Sequence, residues 1–206
     1  MNKLQDSINN LQANDIVVSN IVATATPLTP VELDLQAIQD DFEEKHGSTT
    51  VNKNQTLTLS FEEDDISQLL FDNANIFFSG YTDPSQLQAQ YTKVTNILQE
   101  VLDISYELTI TNLIAQKTYD VSVNMNELIL KLGLEHVEYN PESFVGAFYH
   151  YHGTMMLIFT KQLETKVMVM GETDCQTILN AFEAIETELQ SENNGETTSE
   201  KLDKLF

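Results

Sequence analysis

The chain contains no arginine: all ten of its basic residues are lysines, set against 32 acids for a formal net charge of −22. That removes the planar guanidinium fork, the side chain best shaped to grip a phosphate through two parallel hydrogen bonds. A protein that holds nucleic acid chiefly through phosphate charge is therefore disfavoured. Cysteine is almost as scarce. Cys175 stands alone, so no internal disulfide can form, and no neighbouring cysteine or histidine gives it zinc-ligand spacing; an inert, packed thiol is expected. Long apolar runs are missing as well. None approaches the roughly 18 residues that a membrane span needs, and the opening "MNKLQDSINNLQAND" is polar throughout, without the apolar core of a secretory signal. The expected location is inside the cell, with no membrane partner. P-loop, nucleophile-elbow and zinc motifs are also lacking, which gives no ground for an enzyme or for a cofactor.

What is present describes a folded chain. Its 206 residues are 41% hydrophobic and 8% aromatic, enough for one sizeable core or two small ones. The acidity is spread evenly: residues 16–103 hold 14 acids and 3 lysines, residues 104–192 hold 13 and 4. A solvated, self-repelling surface accounts for that; a specific basic partner is the other reading. The run "EEDD" at 62–65 reads as a solvated turn, since calcium needs more oxygen ligands at closer spacing. His150 and His152 stand at metal-ligand spacing, but no third ligand is visible, so packed or solvated imidazoles are the plainer reading and no metal is expected.

Self-similarity organises the rest. "SNIVATATPLTPVELDLQAI" (19–38) returns in outline as "TNLIAQKTYDVSVNMNELIL" (111–130), and "QLLFDNANIFFSGYTD" (68–83) as "MLIFTKQLETKVMVMGETD" (156–174). Asn20 and Asn112, Phe71 and Phe159, and Gly80 and Gly171 are then matched at offsets of 92, 88 and 91 residues. Each repeat reads strand, short helix, three or four short strands, long helix. In the second, strands are predicted at 104–118, 143–151, 154–160 and 165–171, with helices at 124–134 and 173–190, the latter carrying Ile178, Phe182 and Ile185 on one face. The first repeat's long helix is 83–102, with Asp83 as N-cap and Pro84 at N1. The domain boundaries expected are a 1–15 N-terminal extension, repeats at 16–103 and 104–192, and a polar, disordered tail at 193–206.

"VEYNPESFVGAFYHYHGTMMLIF" (137–159) concentrates aromatic and sulfur-bearing side chains around a turn at His152-Gly153. Because side chains alternate across a strand, Phe159 shares a face with Leu157 and Met155, and Phe144 with Gly146, Phe148 and His150 if no bulge intervenes. Ordinary core would explain a lone phenylalanine. Matched positions in a repeat, beside a matched asparagine pair, favour a face open to a partner.

The duplicated unit, "NIVATA" opening the first repeat, "EYNPESFVG" at 138–146 and "LIF" at 157–159 resemble the TATA-box-binding protein family, over roughly residues 16–190. The resemblance implies an α+β saddle of two pseudo-symmetric repeats, a curved antiparallel sheet with helices on its convex face, whose underside lies on the widened minor groove of DNA. Apolar wedges driven between base steps kink a duplex, and this family is itself the standing illustration of that device. Carried onto this sequence, the DNA-facing residues are Asn20, Val22, Leu69, Phe71, Phe77, Ser79, Asn112, Ile114, Phe144, Phe148, Leu157, Phe159, Met168 and Met170. Asn20 and Asn112 match the asparagines aimed at base edges, where minor-groove readout separates A·T from G·C; Val22 and Ile114 match the flanking apolar pair. Glu138, Tyr139, Asn140, Pro141, Glu142 and Ser143 match the stirrup that receives a transcription factor IIB-like protein. The implied partners are double-stranded A·T-rich DNA, that factor and the RNA polymerase machinery; the implied compartment is the nucleus, or the cytoplasm or viral factory of a virus or the cytoplasm of an archaeon. An arginine-free, Asn/Ile-rich composition suits an A·T-rich genome such as that of a large DNA virus.

The departures from the pattern matter as much. Of the four phenylalanines of a complete member the first repeat keeps only Phe71, the other position falling near Asn54. "KHGSTTVNKNQ" (45–55) replaces its stirrup and offers little to a IIA-like factor. Phe77, Ser79, Met168 and Met170 stand where the family prefers valine and threonine, and His150 where a rim arginine is expected. Two functions follow: a divergent promoter-recognition factor that binds and bends DNA and recruits a IIB-like partner, or the same scaffold retained for protein partners with unaided DNA binding lost.

Overall fold

The structure, a computed structural model, describes residues 2–45, 47–51, 56–61, 67–71, 73–161 and 163–193. The "EEDD" segment, Asn54 and residues 194–206 of the expected tail lie outside them. Contacts divide the chain into two compact units, one of residues 1–10 and 18–113, the other of residues 11–17 and 114–206.

In chain order the first run of elements is helix α1 (Asn2–Gln12), strand β1 (Val17–Pro27), helix α2 (Leu35–Lys45), strands β2 (Gly47–Val51), β3 (Thr56–Phe61), β4 (Ser67–Phe71) and β5 (Ile76–Tyr81), and helix α3 (Pro84–Leu102). The second repeats the succession: strand β6 (Tyr106–Tyr119), helix α4 (Met125–Leu132), a 3₁₀ turn at Leu134–His136, strands β7 (Val137–Glu138), β8 (Ala147–Tyr151), β9 (Thr154–Thr160) and β10 (Thr165–Glu172), and helix α5 (Cys175–Asn193). Within the first unit the strand order is β2-β3-β4-β5-β1, with the start of β6 beside β1; within the second it is β6-β10-β9-β8-β7. The pairs β1–β5, β2–β3, β3–β4, β4–β5, β7–β8, β8–β9 and β9–β10 are antiparallel. The class is α+β, as the sequence predicts, and among the described residues no helix is long and apolar enough to cross a membrane.

Alternation builds the core. Ile21, Ala23 and Ala25 of β1 and Ile76 and Phe78 of β5 are buried, and β5 packs against α3, whose buried Leu87, Val94 and Leu98 recur at helical spacing. Val167 and Val169 of β10 and Met156 and Ile158 of β9 are likewise buried, and β10 packs against α5, whose Ile178, Phe182, Ile185 and Leu189 are buried too. Burying a side chain such as Phe182 stabilises by about 1.5–3 kcal/mol. Cys175 is also buried, and burial pushes its thiol pKa up, in keeping with an inert role.

Local signals place the ends. The Asp83 carboxylate accepts the Ser85 N–H at 2.7 Å with Pro84 opening the helix, as predicted. Asn124 caps α4 by accepting from the N–H groups of Asn126 and Glu127. That helix stops at Leu132, short of the predicted residue 134, because Gly133 takes φ +90° and turns the chain into 3₁₀ geometry. His152 (φ +47°) and Gly153 (φ +90°) make the two-residue β8–β9 turn, the positive-φ pair that matches strand twist. The strand predicted at 143–151 begins only at Ala147; the preceding residues are committed to a turn described below. Helix α1 forms inside the polar opening stretch, where Ile8 and Leu11 are buried.

Candidate functional site

Residues of opposite parity to the core line the other side of each unit's sheet, half-buried where no helix covers them. In the second unit, register sets them in rows. Glu138, Phe148, Leu157 and Met168 face one another across β7, β8, β9 and β10; His150, Met155 and Met170 form the next row; Phe159 stands opposite Lys166. Phe144, outside the strand, folds back onto this face. Its ring stacks on Phe148 at 5.4 Å and meets Phe159 edge-on at 5.7 Å, while the side chain stays 39% exposed. Only a glycine fits beneath: a Cβ on Gly146 would come within 2.8 Å of Phe159, 2.9 Å of Phe144 and 3.0 Å of Leu157. Phe144, Phe148, Leu157, Phe159, Met168 and Met170 are therefore brought together on one surface. Leu157 is the most enclosed of them, 8% exposed.

The first unit's face is built likewise. Thr58, Leu69, Phe77 and Thr24 form one row, and Phe71 pairs with Thr56 at the end of β4. β1 and β5 slip register between Ile21 and Ala23, so that Ser79 and Gly80 oppose the single residue Val22. This bulge uses the positive φ of Gly80, +96°, and Gly171, its match in the repeat, has +88°. It also delivers a backbone N–H to Asn20. The Asn20 carboxamide oxygen accepts from Gly80 N–H at 2.8 Å and its nitrogen donates to Ser79 Oγ at 3.2 Å. Asn20 is thus held in one orientation and shares part of its hydrogen-bonding capacity with the sheet, a link that the spacing alone did not reveal. Asn112 and Ile114 occupy the half-buried parity of β6, alternating with buried Leu113 and Ala115.

The loop after β7 is equally constructed. The Asn140 carbonyl accepts from Ser143 N–H, Ser143 Oγ and Phe144 N–H, and its side chain accepts from Glu142 N–H. An asparagine followed by proline favours this turn. It leaves Glu138, Asn140, Pro141, Glu142 and Ser143 exposed and Tyr139 half-buried, and it aims Phe144 at the aromatic cluster.

Cations are few around these surfaces. Lys117 pairs with Glu186 at 2.9 Å and lies over the Tyr119 ring; Lys161 pairs with Glu164 at 3.1 Å. Lys166 stands on the aromatic face itself. His152 lies in the turn against Tyr151, its ring centre 4.5 Å away, rather than on a strand face with His150. Among the described residues no group of three or more His, Cys, Asp or Glu is placed to hold a metal ion. Sequence reasoning overlooked Thr24 and Thr58, and gave Gly146 a place on the Phe144 face but no role. The two threonines follow from period-two alternation, and a glycine inside an aromatic run was itself a signal of close packing.

Comparison with known proteins points one way. Residues 107–191 match the family described as transcription factor TFIID, or TATA-binding protein. The chain is 23% identical over 181 residues to TATA-box-binding protein C of Halobacterium salinarum, covering 85% of this chain and 97% of that one. It is 27% identical over 141 residues to the TATA-box-binding protein of Archaeoglobus fulgidus, covering 66% and 75%. The solved TBP of Methanococcus jannaschii superposes with a TM-score of 0.68 at 18% identity, covering 86% of this chain and 99% of that one. Residues 107–191 thus carry the pattern of the TATA-binding protein family, and the chain, with its strand–helix–strands–helix succession occurring twice, shares the fold of a solved TBP and resembles that family along most of its length.

Proposed function

We propose that this protein is a promoter-recognition factor that binds A·T-rich duplex DNA through the minor groove, bends it by wedging, and recruits a IIB-like protein on the 138–143 loop. The observation that carries the reading is the aromatic cluster. Phe144, Phe148 and Phe159 are gathered on the helix-free side of the second unit, over a glycine where a methyl would push the rings apart. A core would close over such rings, whereas Phe144 remains 39% exposed. Insertion costs a few kcal/mol of unstacking per step and is offset by wider contact with the bent duplex. Asn20 and Asn112 supply amide donors suited to the acceptors that A·T pairs show in the minor groove.

A second reading is favoured by the scarcity of cations. Two of the described lysines are tied to acids, so the chain would serve as a scaffold for protein partners and bind DNA only when one of them supplies phosphate contacts. A gel-shift titration at low salt, with and without the IIB-like protein, separates the two. A shift by the chain alone supports the first, a shift only with the partner supports the second, and none in either condition rejects DNA binding. Bending adds a sharper test: Phe144→Ala and Phe159→Ala are expected to reduce the bend angle more than Phe71→Ala. Equal losses would contradict the unequal distribution of wedges.

A further inference from the structure

The aromatic face of the second unit is bordered by an ion pair. His150 Nε2 lies 3.4 Å from Glu138 Oε1, with the two side chains 49% and 78% exposed. Register puts both on the wedge side of the sheet, Glu138 opposite Phe148 and His150 opposite Met155. On β9 the same side offers Met155 and Leu157, which are uncharged; on the 3₁₀ turn, His136 and Glu135 approach each other at 3.7 Å; Tyr149 and Tyr151 belong to the opposite parity of β8. Among the described residues Glu138 is the charged group placed to meet the His150 ring.

We propose that His150 and Glu138 act as a proton-operated gate on DNA binding at this face. With a neutral imidazole the pair presents one uncompensated negative charge beside the rings, and a phosphate backbone is repelled. With the imidazole protonated the pair is neutral, and the ring offers an N–H to phosphate. Histidine is the side chain whose charge ordinarily changes between about pH 5 and 8. A chain without arginine makes one such charge count, because few other cations border the face. DNA arriving at the gate draws a proton onto His150, and affinity rises as pH falls. This inference rests on the reading that the face receives DNA.

The test is fluorescence anisotropy with a labelled A·T-rich duplex at fixed low ionic strength, at about pH 6 and about pH 8. Wild type is expected to bind roughly three- to tenfold more tightly at the lower pH, within the limit of about tenfold per pH unit that one linked proton sets. His150→Gln should abolish that difference at the weaker affinity, and His150→Lys should bind tightly at both. Glu138→Gln should strengthen binding at the higher pH. All three changes are at exposed positions. A pH-independent wild type, or a pH effect that survives in His150→Gln, overturns the gate while leaving DNA binding intact. Failure of both wild type and His150→Lys to bind, with and without the IIB-like protein, overturns the gate together with the reading beneath it.

Discussion

Gly146 is the residue on which the aromatic cluster turns. Gly146→Ala inserts a methyl among three side chains already in contact, an overpacking that costs about 1–3 kcal/mol in such surroundings. Phe144 can swing outward, so urea denaturation should show a loss at the lower end, while DNA bending should suffer more than stability does. Tyr106 makes a different case. Its hydroxyl is buried without a hydrogen-bond partner among the described residues, and burial pushes its pKa up to about 12. The unfolded chain therefore loses this proton first as pH rises, so the contribution is complete below the ordinary tyrosine value of about 10 and declines from there through about 12. Tyr106→Phe should flatten that alkaline limb and be neutral to about 1 kcal/mol stabilising at neutral pH, measured by denaturant titration across pH. In the sequence Gly146 stood out only by its place inside an aromatic run, and Tyr106 not at all. A glycine's neighbours and a hydroxyl's isolation are set by contacts across strands, which periodicity does not report.

Elements were more readable, because their ends are governed by short-range chemistry. Asp83-Pro84 announced α3, and His152-Gly153 announced the β8–β9 turn. The Asn124 cap was not singled out, yet it satisfies two otherwise orphaned N–H groups. Asn124→Ala should cost about 1 kcal/mol and loosen the start of α4 in hydrogen exchange. The strand predicted from residue 143 failed for a definite reason. Alternation continues through "SFVGAF", but Asn140 captures the backbone N–H groups of Ser143 and Phe144 into a turn, and a turn cannot also supply a ladder. On strand interiors alternation is uninterrupted, so Phe148 and Met168 both fall opposite Leu157 in the second unit and Phe77 falls opposite Leu69 in the first. The Asn20 hydrogen bonds were not legible in this way, since they depend on a bulge in the partner strand.

At the scale of the whole molecule, a net charge of −22 predicts opposite responses to salt. Screening relieves self-repulsion, so the midpoint of thermal unfolding should rise with ionic strength. DNA affinity should fall, because bound phosphates release counterions, but with few cations the slope of log K against log salt should be no steeper than about −3. A steep slope would mean nonspecific electrostatic binding through an unrecognised basic patch. Asn112→Ala should then weaken binding more than Lys161→Ala, whose lysine is already paired with Glu164.

The vacancy beneath the three rings has a spectroscopic consequence. The α-protons of Gly146 occupy space that Phe144 and Phe159 border within 3 Å of where a Cβ would stand, and so lie in the ring currents of both. Their chemical shift is a natural gauge of how those rings are disposed. Anything that prises the cluster open, a base step or a partner's side chain, would be registered by a single glycine resonance in a protein that needs no added probe.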